Sequence, residues 1–361
     1  MDKCYSLYIQ LKKRLEKLTW LAQRNYYSER IDEIKQNSKM LWKTINEIVC
    51  RKSKKGGVIT HLKTDNGGMI YDPKQIADEL NNYFVQIGKK LSDKISPPAK
   101  THMDFLKGSA IENTFFLSAT NPFEVDSIVS SFNNNKAMGP DSIPIRMLKA
   151  GLPILAPILS KLINECFEFG IFPQSLKIAR VTPLFKGGST DSSNCYRPIS
   201  IISPLSKLIE KLISKRLVKF LDKFNIIKDN QYGFRSAHST NHAIATISER
   251  IRKNLDSREH TVSIFLDLSK AFDCVNHNIL LDKLKYYGIR GVALEFFRSY
   301  LNNRQQFTIV NGVMSDIFNI ICGVPQGSTL GPLLFLLYIN DISTESKFIS
   351  ILPFFSLTTH V

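Results

Sequence analysis

Asp267 is the residue whose type and position could do chemistry in this sequence. It follows residues 261–266, a run of β-branched and aromatic side chains that predicts a strand, and a turn toward a helix comes next. Carboxylate oxygens are the ligands that hard cations such as Mg²⁺ prefer, and the end of a strand fixes a carboxylate without a flexible loop. An aspartate at this position is more often a helix cap, so the residue alone leaves both interpretations open.

Two basic residues stand on either side of a polar loop at residues 189–194. Residues 178–185 predict a strand that leads into Lys186, and a second extended segment begins near Tyr196 and Arg197. The two segments are predicted to form a hairpin with one basic residue on each side of its tip. For either residue out of context, a solvated surface charge is the alternative.

The elements that would position these side chains follow from apolar periodicity and from helix start signals. Helices are predicted at residues 73–91, from 121, and at 145–150, 153–169, 204–220, 240–255, 278–287 and 330–339. Strands are predicted at residues 306–310 and 318–321. The sequence therefore predicts a chain in which helices and strands alternate irregularly.

The first fifty residues are predicted to be helical, because apolar residues recur at helical spacing from Leu11 to Leu21 and from Ile31 to Ile48. A basic stretch at residues 51–57 ends this segment. One interpretation is a surface that faces nucleic acid or directs nuclear import. The other is a solvated helical hairpin, and the sequence leaves the two open.

Charge favours a polyanionic partner. Lys and Arg outnumber Asp and Glu by 48 to 32, which gives a net charge of +16. Residues 1–60 hold 14 Lys and Arg against 6 Asp and Glu, so half of the excess lies in a sixth of the chain. Nucleic acid is the commonest partner of such a chain, and a basic surface that serves only solubility is the alternative.

Composition excludes several classes of protein. Apolar residues make up 43% of the chain, charged residues 22% and aromatic residues 10%, which excludes collagen, a disordered tail and a coiled-coil rod. No run approaches the ~20 apolar residues of a membrane helix, and the polar N-terminus is unlike a signal peptide. The six cysteines form no CxxC pair, so neither a zinc ribbon nor a disulfide scaffold is implied. We expect no membrane partner and an intracellular protein, in the nucleus or cytoplasm and not secreted.

Motifs of other enzyme classes are missing from the sequence. It contains no GxGxxG or GxxxxGK, so dinucleotide and P-loop sites are not expected. It also contains no GxSxG and no HExxH, the motifs of serine hydrolases and of zinc proteases. These classes are therefore set aside.

Residues 265–277, Phe-Leu-Asp-Leu-Ser-Lys-Ala-Phe-Asp-Cys-Val-Asn-His, resemble the first catalytic box of non-LTR retrotransposon reverse transcriptases. Further segments match successive boxes of that family, in order: residues 135–144, 180–186, 196–200, 232–235 and 323–328. The Lys-rich N-terminal helices look like the segment that precedes the polymerase in jockey- and CR1-like elements. The resemblance covers roughly residues 5–353.

The resemblance implies a catalytic role for Asp267. It would be a ligand to both Mg²⁺ ions, which activate the primer hydroxyl and support the leaving pyrophosphate. Phe272 would be a steric gate, because an aromatic face there collides with a ribose 2′-OH and so favours deoxynucleotides. Without the surrounding motif, Phe272 would be interpreted as a core residue.

The resemblance also implies which residues contact the other substrates. Those for the deoxynucleoside triphosphate (dNTP) are Lys186, Arg197, Leu268, Phe272, Gln326 and Gly327. Lys186 and Arg197 would grip the triphosphate, since a point charge and a bidentate fork both suit phosphate oxygens. At Gly327 the missing side chain would let a nucleotide approach the backbone. The residues implied for the path of the template are Gly233, Phe234 and Arg235.

The family carries a second carboxylate pair, in an aromatic-Ala-Asp-Asp hairpin after the helix that ends near Asp341. Here Ser356 and Leu357 stand where that pair would be expected, and no acidic residue follows Glu345. One Asp cannot hold two like-charged metal ions, so the sequence is interpreted as a degraded or truncated copy. Asp341 is interpreted as a helix-end residue, and Asp273 as a residue that orients the local backbone.

The implied fold class is α+β: the fingers and a partial palm of a right-hand polymerase, with the thumb absent and a basic helical segment in front. The predicted domains are a basic helical linker at 1–57, a variable connecting region at 58–120, a fingers-like region at 121–260 and a partial, truncated palm at 261–361.

The implied activity is RNA-directed DNA synthesis from dNTPs with Mg²⁺, on an RNA template with a DNA primer. For this chain we expect nucleic-acid binding with weak or absent polymerisation, because the second carboxylate pair is missing. Two hypotheses remain. One is an enzyme that extends a primer, and the other is a non-catalytic nucleic-acid-binding remnant of a mobile element.

Overall fold

A computed structural model describes residues 2–49, 58–64, 67–96, 99–106 and 110–342. The chain divides into two compact units, residues 1–57 and residues 58–361. The first unit is a pair of helices, α1 (Asp2–Ile34) and α2 (Ser38–Ile48). Between them, the side chain of Asn37 caps α2 by accepting a hydrogen bond from the backbone N–H of Met40. The helical prediction for the first fifty residues is confirmed, and the basic stretch at 51–57 lies outside the described residues.

The second unit mixes helices and strands. Its helices are α3 (Pro73–Ser92), α4 (Pro122–Ser130), α5 (Ile145–Phe169), α6 (Pro204–Lys223), α7 (Thr240–Asp256), α8 (His277–Tyr286), α9 (Gly291–Leu301) and α10 (Leu330–Ile339). Its strands are β1 (Leu62–Lys63), β2 (Met69–Ile70), β3 (Ile178–Phe185), β4 (Tyr196–Ile201), β5 (Arg304–Val310), β6 (Val313–Met314) and β7 (Phe318–Ile320). Short 3₁₀ turns lie at His102–Phe105, Gln174–Leu176 and Ser193–Cys195.

Local sequence explains where the helices of this unit begin. Asp72, Asn121, Ser203 and Ser239 each precede a helix, and each side chain accepts a hydrogen bond from a backbone N–H of the first turn. Proline occupies the first position of α3, α4 and α6, where its missing N–H leaves no bond unmade. These starts therefore depend on local residues and not on distant packing.

The central sheet is mixed. Its order is β4-β3-β5-β6, and β7 also pairs with β5. Strands β3 and β4 are antiparallel, with Leu184 opposite Arg197. Strands β3 and β5 are parallel, with Arg180 opposite Phe307, and the connection between them contains α6 to α9. The predicted hairpin at 178–201 is confirmed, so its two basic residues sit at one end of the sheet.

Two apolar cores hold the second unit together. The larger one lies among the helices and includes Leu208 and Leu212 of α6, Phe296 of α9 and Leu334 of α10. The smaller one lies between α3 and the sheet and includes Leu80 of α3. Burying each such side chain contributes about 2 kcal/mol. The larger core packs helices against one another, and the smaller core packs α3 against the sheet.

The prediction of a strand at residues 261–266 is wrong. The segment has no regular secondary structure, and the side chains of Val262, Phe265 and Leu266 are more than four-fifths exposed. No described strand pairs with this segment. Residues with high β propensity form a strand only where a neighbour satisfies their backbone groups, and the described part of the chain supplies none.

The prediction of two helices at 145–150 and 153–169 is also wrong, because α5 is continuous through Pro153 and Pro157. Proline inside a helix removes one backbone hydrogen bond and favours a break. Here the inner face of the helix, including Leu148 and Leu152, is buried in the larger core and keeps the two halves in line.

Helix α5 is long and apolar enough to cross a membrane by length and composition, and it is the one such helix among the described residues. This does not contradict the absence of a continuous run of ~20 apolar residues, because α5 also contains charged residues such as Arg146 and Lys161. Core helices of water-soluble proteins meet the same criterion, and α5 packs against α4 and α9.

The other predicted elements are confirmed, with ends that shift by no more than three residues. Helix α9 and the short strands β1, β2 and β6 were not predicted. The two-residue strands are shorter than any periodicity that a sequence can display, and they form because a partner lies beside them.

Replacement of Gly88 tests whether α3 is pressed against residue 273. A Cβ at Gly88 would overlap the carbonyl oxygen of Asp273 and lie 2.6 Å from the Cys322 Sγ. We expect Gly88→Ala to lower the free energy of unfolding by about 1–2 kcal/mol, because overpacking exceeds the gain in helix propensity. Chemical unfolding measures the change.

Gly151→Ala in α5 is the matched control. A Cβ there meets only the flexible side chain of Leu155. This variant should be neutral or more stable by up to about 1 kcal/mol, because alanine favours a helix over glycine. If Gly88→Ala raises the free energy of unfolding as much as Gly151→Ala does, α3 is not packed against Asp273 and Cys322 as described.

Candidate functional site

Backbone hydrogen bonds bring three short segments together. We name them the basic hairpin (β3 and β4 with residues 186–195), the site turn (residues 270–275) and the site loop (residues 323–328). Gly323 N–H donates to the Val275 carbonyl at 2.8 Å, and Val324 N–H donates to the Phe272 carbonyl at 2.9 Å. Ser200 N–H of β4 donates to the Gln326 carbonyl at 2.7 Å. The site loop is therefore bound to the turn on one side and to the hairpin on the other.

The close approach of β4 requires the glycine at position 327. Gly327 has φ +111°, a region that side chains disfavour, and a Cβ there would lie 2.6 Å from the Ser200 carbonyl oxygen. The structure thus explains this glycine by the neighbouring strand. Its predicted contact with a nucleotide stays a prediction.

A buried histidine adds to the connection between the turn and the loop. The His277 Nε2 lies 2.8 Å from the Gly323 carbonyl oxygen, and since a carbonyl only accepts, this nitrogen donates. Burial lowers the pKa of His277, which favours the neutral ring in this position.

Gln326 and Asp273 face each other across the turn and the loop. The Gln326 Nε2 lies 3.4 Å from each carboxylate oxygen of Asp273. Burial raises the pKa of Asp273 to about 6, although the charge of Lys270 and the Gln326 hydrogen bonds act in the opposite direction. The Asp273 carboxylate thus contacts the side-chain amide of a predicted dNTP-binding residue. Its predicted role in orienting the local backbone stays a prediction.

Lys186 and Arg197 flank the tip of the basic hairpin, as predicted. The Lys186 N–H donates to the Cys195 carbonyl at 2.9 Å and closes the loop, and Arg197 is exposed on β4. Burial is the largest cause that lowers the pKa of Lys270 in the site turn. The positive charges of Lys186 and Arg197 lower this pKa further, so both side chains lie near Lys270. Lys270 was not predicted as a site residue, although it stands three positions after Asp267 in the same motif.

Asp267 is exposed and lies in the irregular segment that precedes the site turn, not at the end of a buried strand. Its neighbour Leu268 is 42% exposed. Within residues 2–342, as far as they are described, no three His, Cys, Asp or Glu side chains come close enough to hold a metal ion. Asp341, which follows α10, forms an ion pair of 2.5 Å with Lys283. Its interpretation as a helix-end residue agrees with this place.

The described carboxylates therefore do not form a two-metal centre. A hard cation takes several oxygen ligands, and Asp267 offers the oxygens of one side chain. Residues 343–361, which include Ser356 and Leu357, lie outside the described residues.

Phe272 lies in the larger core and is 5% exposed. Its ring stacks on that of Phe335, with centroids 4.8 Å apart and planes inclined by 25°, and meets the edge of Phe234 at 6.1 Å. This is the place of a core residue, the alternative considered from the sequence. Its role as a steric gate stays a prediction.

Of the three residues predicted for the template path, Phe234 lies beside Phe272. Phe234 has φ +56° and touches the Phe272 ring, which places this loop against the site turn. The Gly233 carbonyl accepts from the Gln231 side chain, and Arg235 donates to the Lys228 carbonyl at 2.9 Å. The loop is thereby fixed by its own hydrogen bonds, and its contact with a template stays a prediction.

Glu210 of α6 is a buried carboxylate that sequence reasoning missed. It accepts hydrogen bonds from the Tyr300 hydroxyl at 2.8 Å and from the Thr329 N–H at 2.6 Å. Burial raises the pKa of Glu210, while the charge of Arg304 and these hydrogen bonds lower it. The carboxylate caps the start of α10 and so holds the end of the site loop. Its position in an ordinary amphipathic helix gives no signal in the sequence.

Comparison with known proteins identifies similar sequences. Residues 186–352 match the family model described as "Reverse transcriptase (RNA-dependent DNA polymerase)". This match begins at Lys186 and includes the site turn and the site loop. It excludes the first unit and the whole of strand β3 of the basic hairpin.

Several curated proteins of Drosophila melanogaster are similar over longer stretches. The "Probable RNA-directed DNA polymerase from transposon X-element" is 30% identical over 317 residues, 84% of this chain and 33% of that protein. The "Probable RNA-directed DNA polymerase from transposon BS" is 35% identical over 238 residues, 63% of this chain and 25% of that protein. The "RNA-directed DNA polymerase from mobile element jockey" is 32% identical over 231 residues, 64% and 25% of the respective lengths. The chain thus spans a quarter to a third of these relatives.

The buried carboxyl of Asp273 predicts a dependence of stability on pH. Because its pKa is near 3.8 when unfolded and about 6 when folded, the folded state binds the extra proton between these values. The stability that the protonated form contributes is present below pH 4 and is lost as the pH rises through 6. As the pH rises from 4 to 7, we expect the free energy of unfolding of wild type to fall by up to about 3 kcal/mol relative to that of Asp273→Asn.

Urea unfolding at a series of pH values measures this difference. Asp126→Asn, which removes an exposed carboxylate from α4, corrects for the loss of one surface charge. A constant difference between Asp273→Asn and wild type from pH 4 to pH 7 would show that Asp273 is not held as described.

Proposed function

From the premise that this chain contains a reverse transcriptase domain of the kind found in non-LTR retrotransposons, we propose that it binds an RNA template with a DNA primer and a dNTP. The observation that carries the proposal is the joining of the basic hairpin, the site turn and the site loop by backbone hydrogen bonds. The proposal is supported by the interaction of the charges of Lys186 and Arg197 with that of Lys270, which follows Asp267 by three residues.

The roles of individual residues follow from this arrangement. Lys186 and Arg197 bind the triphosphate of the dNTP, since both cations lie at one end of the sheet and face the site turn. Gln326 contacts the nucleotide through an amide whose orientation Asp273 fixes. Leu268, which is 42% exposed, and Gly327 of the site loop are the remaining residues proposed to contact the dNTP.

The loop at residues 233–235 is proposed as part of the template path, because Phe234 lies beside the site turn. Phe272 is proposed to exclude ribonucleotides, with its ring held by Phe335. In the terms of a right-hand polymerase, the basic hairpin belongs to the fingers, and the site turn and site loop to a palm. The net positive charge of +16 supports a nucleic-acid partner.

Polymerisation by this 361-residue chain is proposed to be weak or absent. A divalent metal ion, Mg²⁺ in our proposal, would use Asp267 as one ligand, but the described carboxylates do not complete a site. The sequence from residue 346 onward contains no acidic side chain either. No catalytic step is therefore assigned to a metal in this chain, and binding without efficient synthesis is the function that its residues support best.

Parallel binding and primer-extension assays test this proposal. The purified chain should bind an RNA template annealed to a DNA primer, with an affinity that falls steeply between 50 and 200 mM salt, on the order of tenfold or more. Incorporation of a labelled dNTP in the presence of Mg²⁺ should stay near background. Asp267→Asn should bind the duplex as wild type does, because an exposed carboxylate contributes nothing favourable to contact with phosphates.

The matched control is Asp229→Asn, which removes another exposed carboxylate of the same unit. The proposed lack of polymerisation is contradicted if wild type incorporates the labelled dNTP efficiently, if Asp267→Asn abolishes this incorporation and if Asp229→Asn retains it. Absence of duplex binding at low salt would contradict the proposed function as a whole.

A further inference from the structure

Lys270 of the site turn lies near the two cations of the basic hairpin, although it belongs to neither strand of the hairpin. Its positive charge interacts with those of Lys186 and Arg197, and the carboxylate of Asp273 is the acidic side chain that acts on it. Like charges repel one another, so the proximity of these three cations destabilises the folded state. An anion with several negative charges would offset this destabilisation.

The side chain of Lys270 is held in place by an aromatic ring. Its Nζ lies 5.2 Å from the centroid of the Tyr83 ring of α3, within the range of a cation–π contact. The Tyr83 hydroxyl in turn donates a hydrogen bond of 3.0 Å to the Asn194 side chain, beside the tip of the basic hairpin. Tyr83 thus connects the lysine of the site turn with the hairpin that carries the other two cations.

The backbone of Lys270 is also constrained. Its φ of +53° lies in the left-handed region, which residues with a Cβ disfavour. Its carbonyl accepts the N–H groups of Asp273 and Cys274 at 2.9 and 3.1 Å, and these bonds form the site turn. The turn fixes where the lysine side chain starts, and Tyr83 fixes where its ammonium group lies.

We propose that Lys270 is a third phosphate-binding residue, and that Lys186, Arg197 and Lys270 together form one site for the polyphosphate chain of a nucleoside triphosphate. This inference rests on the proposed function and adds a ligand to its dNTP site. The three side chains supply a fork and two ammonium groups, which can each donate hydrogen bonds to phosphate oxygens. The partly buried position makes the Lys270 contact stronger than that of a fully hydrated lysine.

Isothermal titration with inorganic tripolyphosphate at fixed salt tests the site without a base, a sugar or a template. Lys270→Met should weaken binding about tenfold, the effect expected for the loss of one charged hydrogen-bond donor. Lys270→Arg keeps the cation and should bind within about threefold of wild type, which separates loss of charge from loss of fold. Lys219→Met, which removes an exposed lysine from α6, is the control and should leave the affinity unchanged.

The same titration with dTTP should give the same order of variants. Equal binding of tripolyphosphate by Lys270→Met and Lys219→Met would overturn the inference, and so would an absence of binding by wild type. Failure of the RNA–DNA duplex to bind, with the tripolyphosphate results as expected, would contradict the proposed function but leave the three-cation site established.

Discussion

The backbone hydrogen bonds that join the site loop to its two neighbours are the constraint on which the rest of the site depends. Three N–H groups, of Ser200, Gly323 and Val324, each bond to a carbonyl that lies 48 to 126 residues away in the sequence. These bonds lie in partly or fully buried surroundings, where an unmade bond costs more than a made bond contributes. Any displacement of the loop would therefore leave several donors and acceptors unpaired at once.

A buried carboxylate supports this arrangement from the helical side. Glu210 accepts from Tyr300 and from the first residues of α10, so it ties α6, α9 and α10 together at the end of the site loop. Beside it, the fully buried Arg304 donates to the Tyr300 carbonyl and lies over the Tyr300 ring. Removing one partner of a buried charged group is strongly destabilising, typically by about 3–5 kcal/mol. The polar network thus fixes the end of the site loop that leads into α10.

Much of the fold followed from the sequence because its signals are local. Capping residues such as Asn121 and prolines at helix starts mark elements whose first residues need no distant partner, and α10 is a short run of mostly apolar residues. The segment at 261–266 shows the opposite case, because its β-branched residues form a strand only beside another strand. The continuity of α5 through two prolines likewise depends on packing that no local rule contains.

The site was predicted in part. Lys186, Arg197, Gln326 and Gly327 carry recognisable motifs, and the structure brings the segments that contain them together. The roles of Lys270 and Glu210 could not be predicted, since each depends on what lies opposite in space. A lysine becomes a candidate ligand only when two other cations and an aromatic ring are beside it.

Native-state amide hydrogen exchange tests the central constraint most directly. The account predicts that the amides of Ser200, Gly323 and Val324 exchange slowly and at similar rates, at least about a hundredfold slower than those of residues 262–266. The exposed segment at 262–266 serves as the internal reference for unprotected amides. Exchange of the Gly323 and Val324 amides as fast as that of residues 262–266 would contradict the account, because the site loop would then not be bound to the site turn.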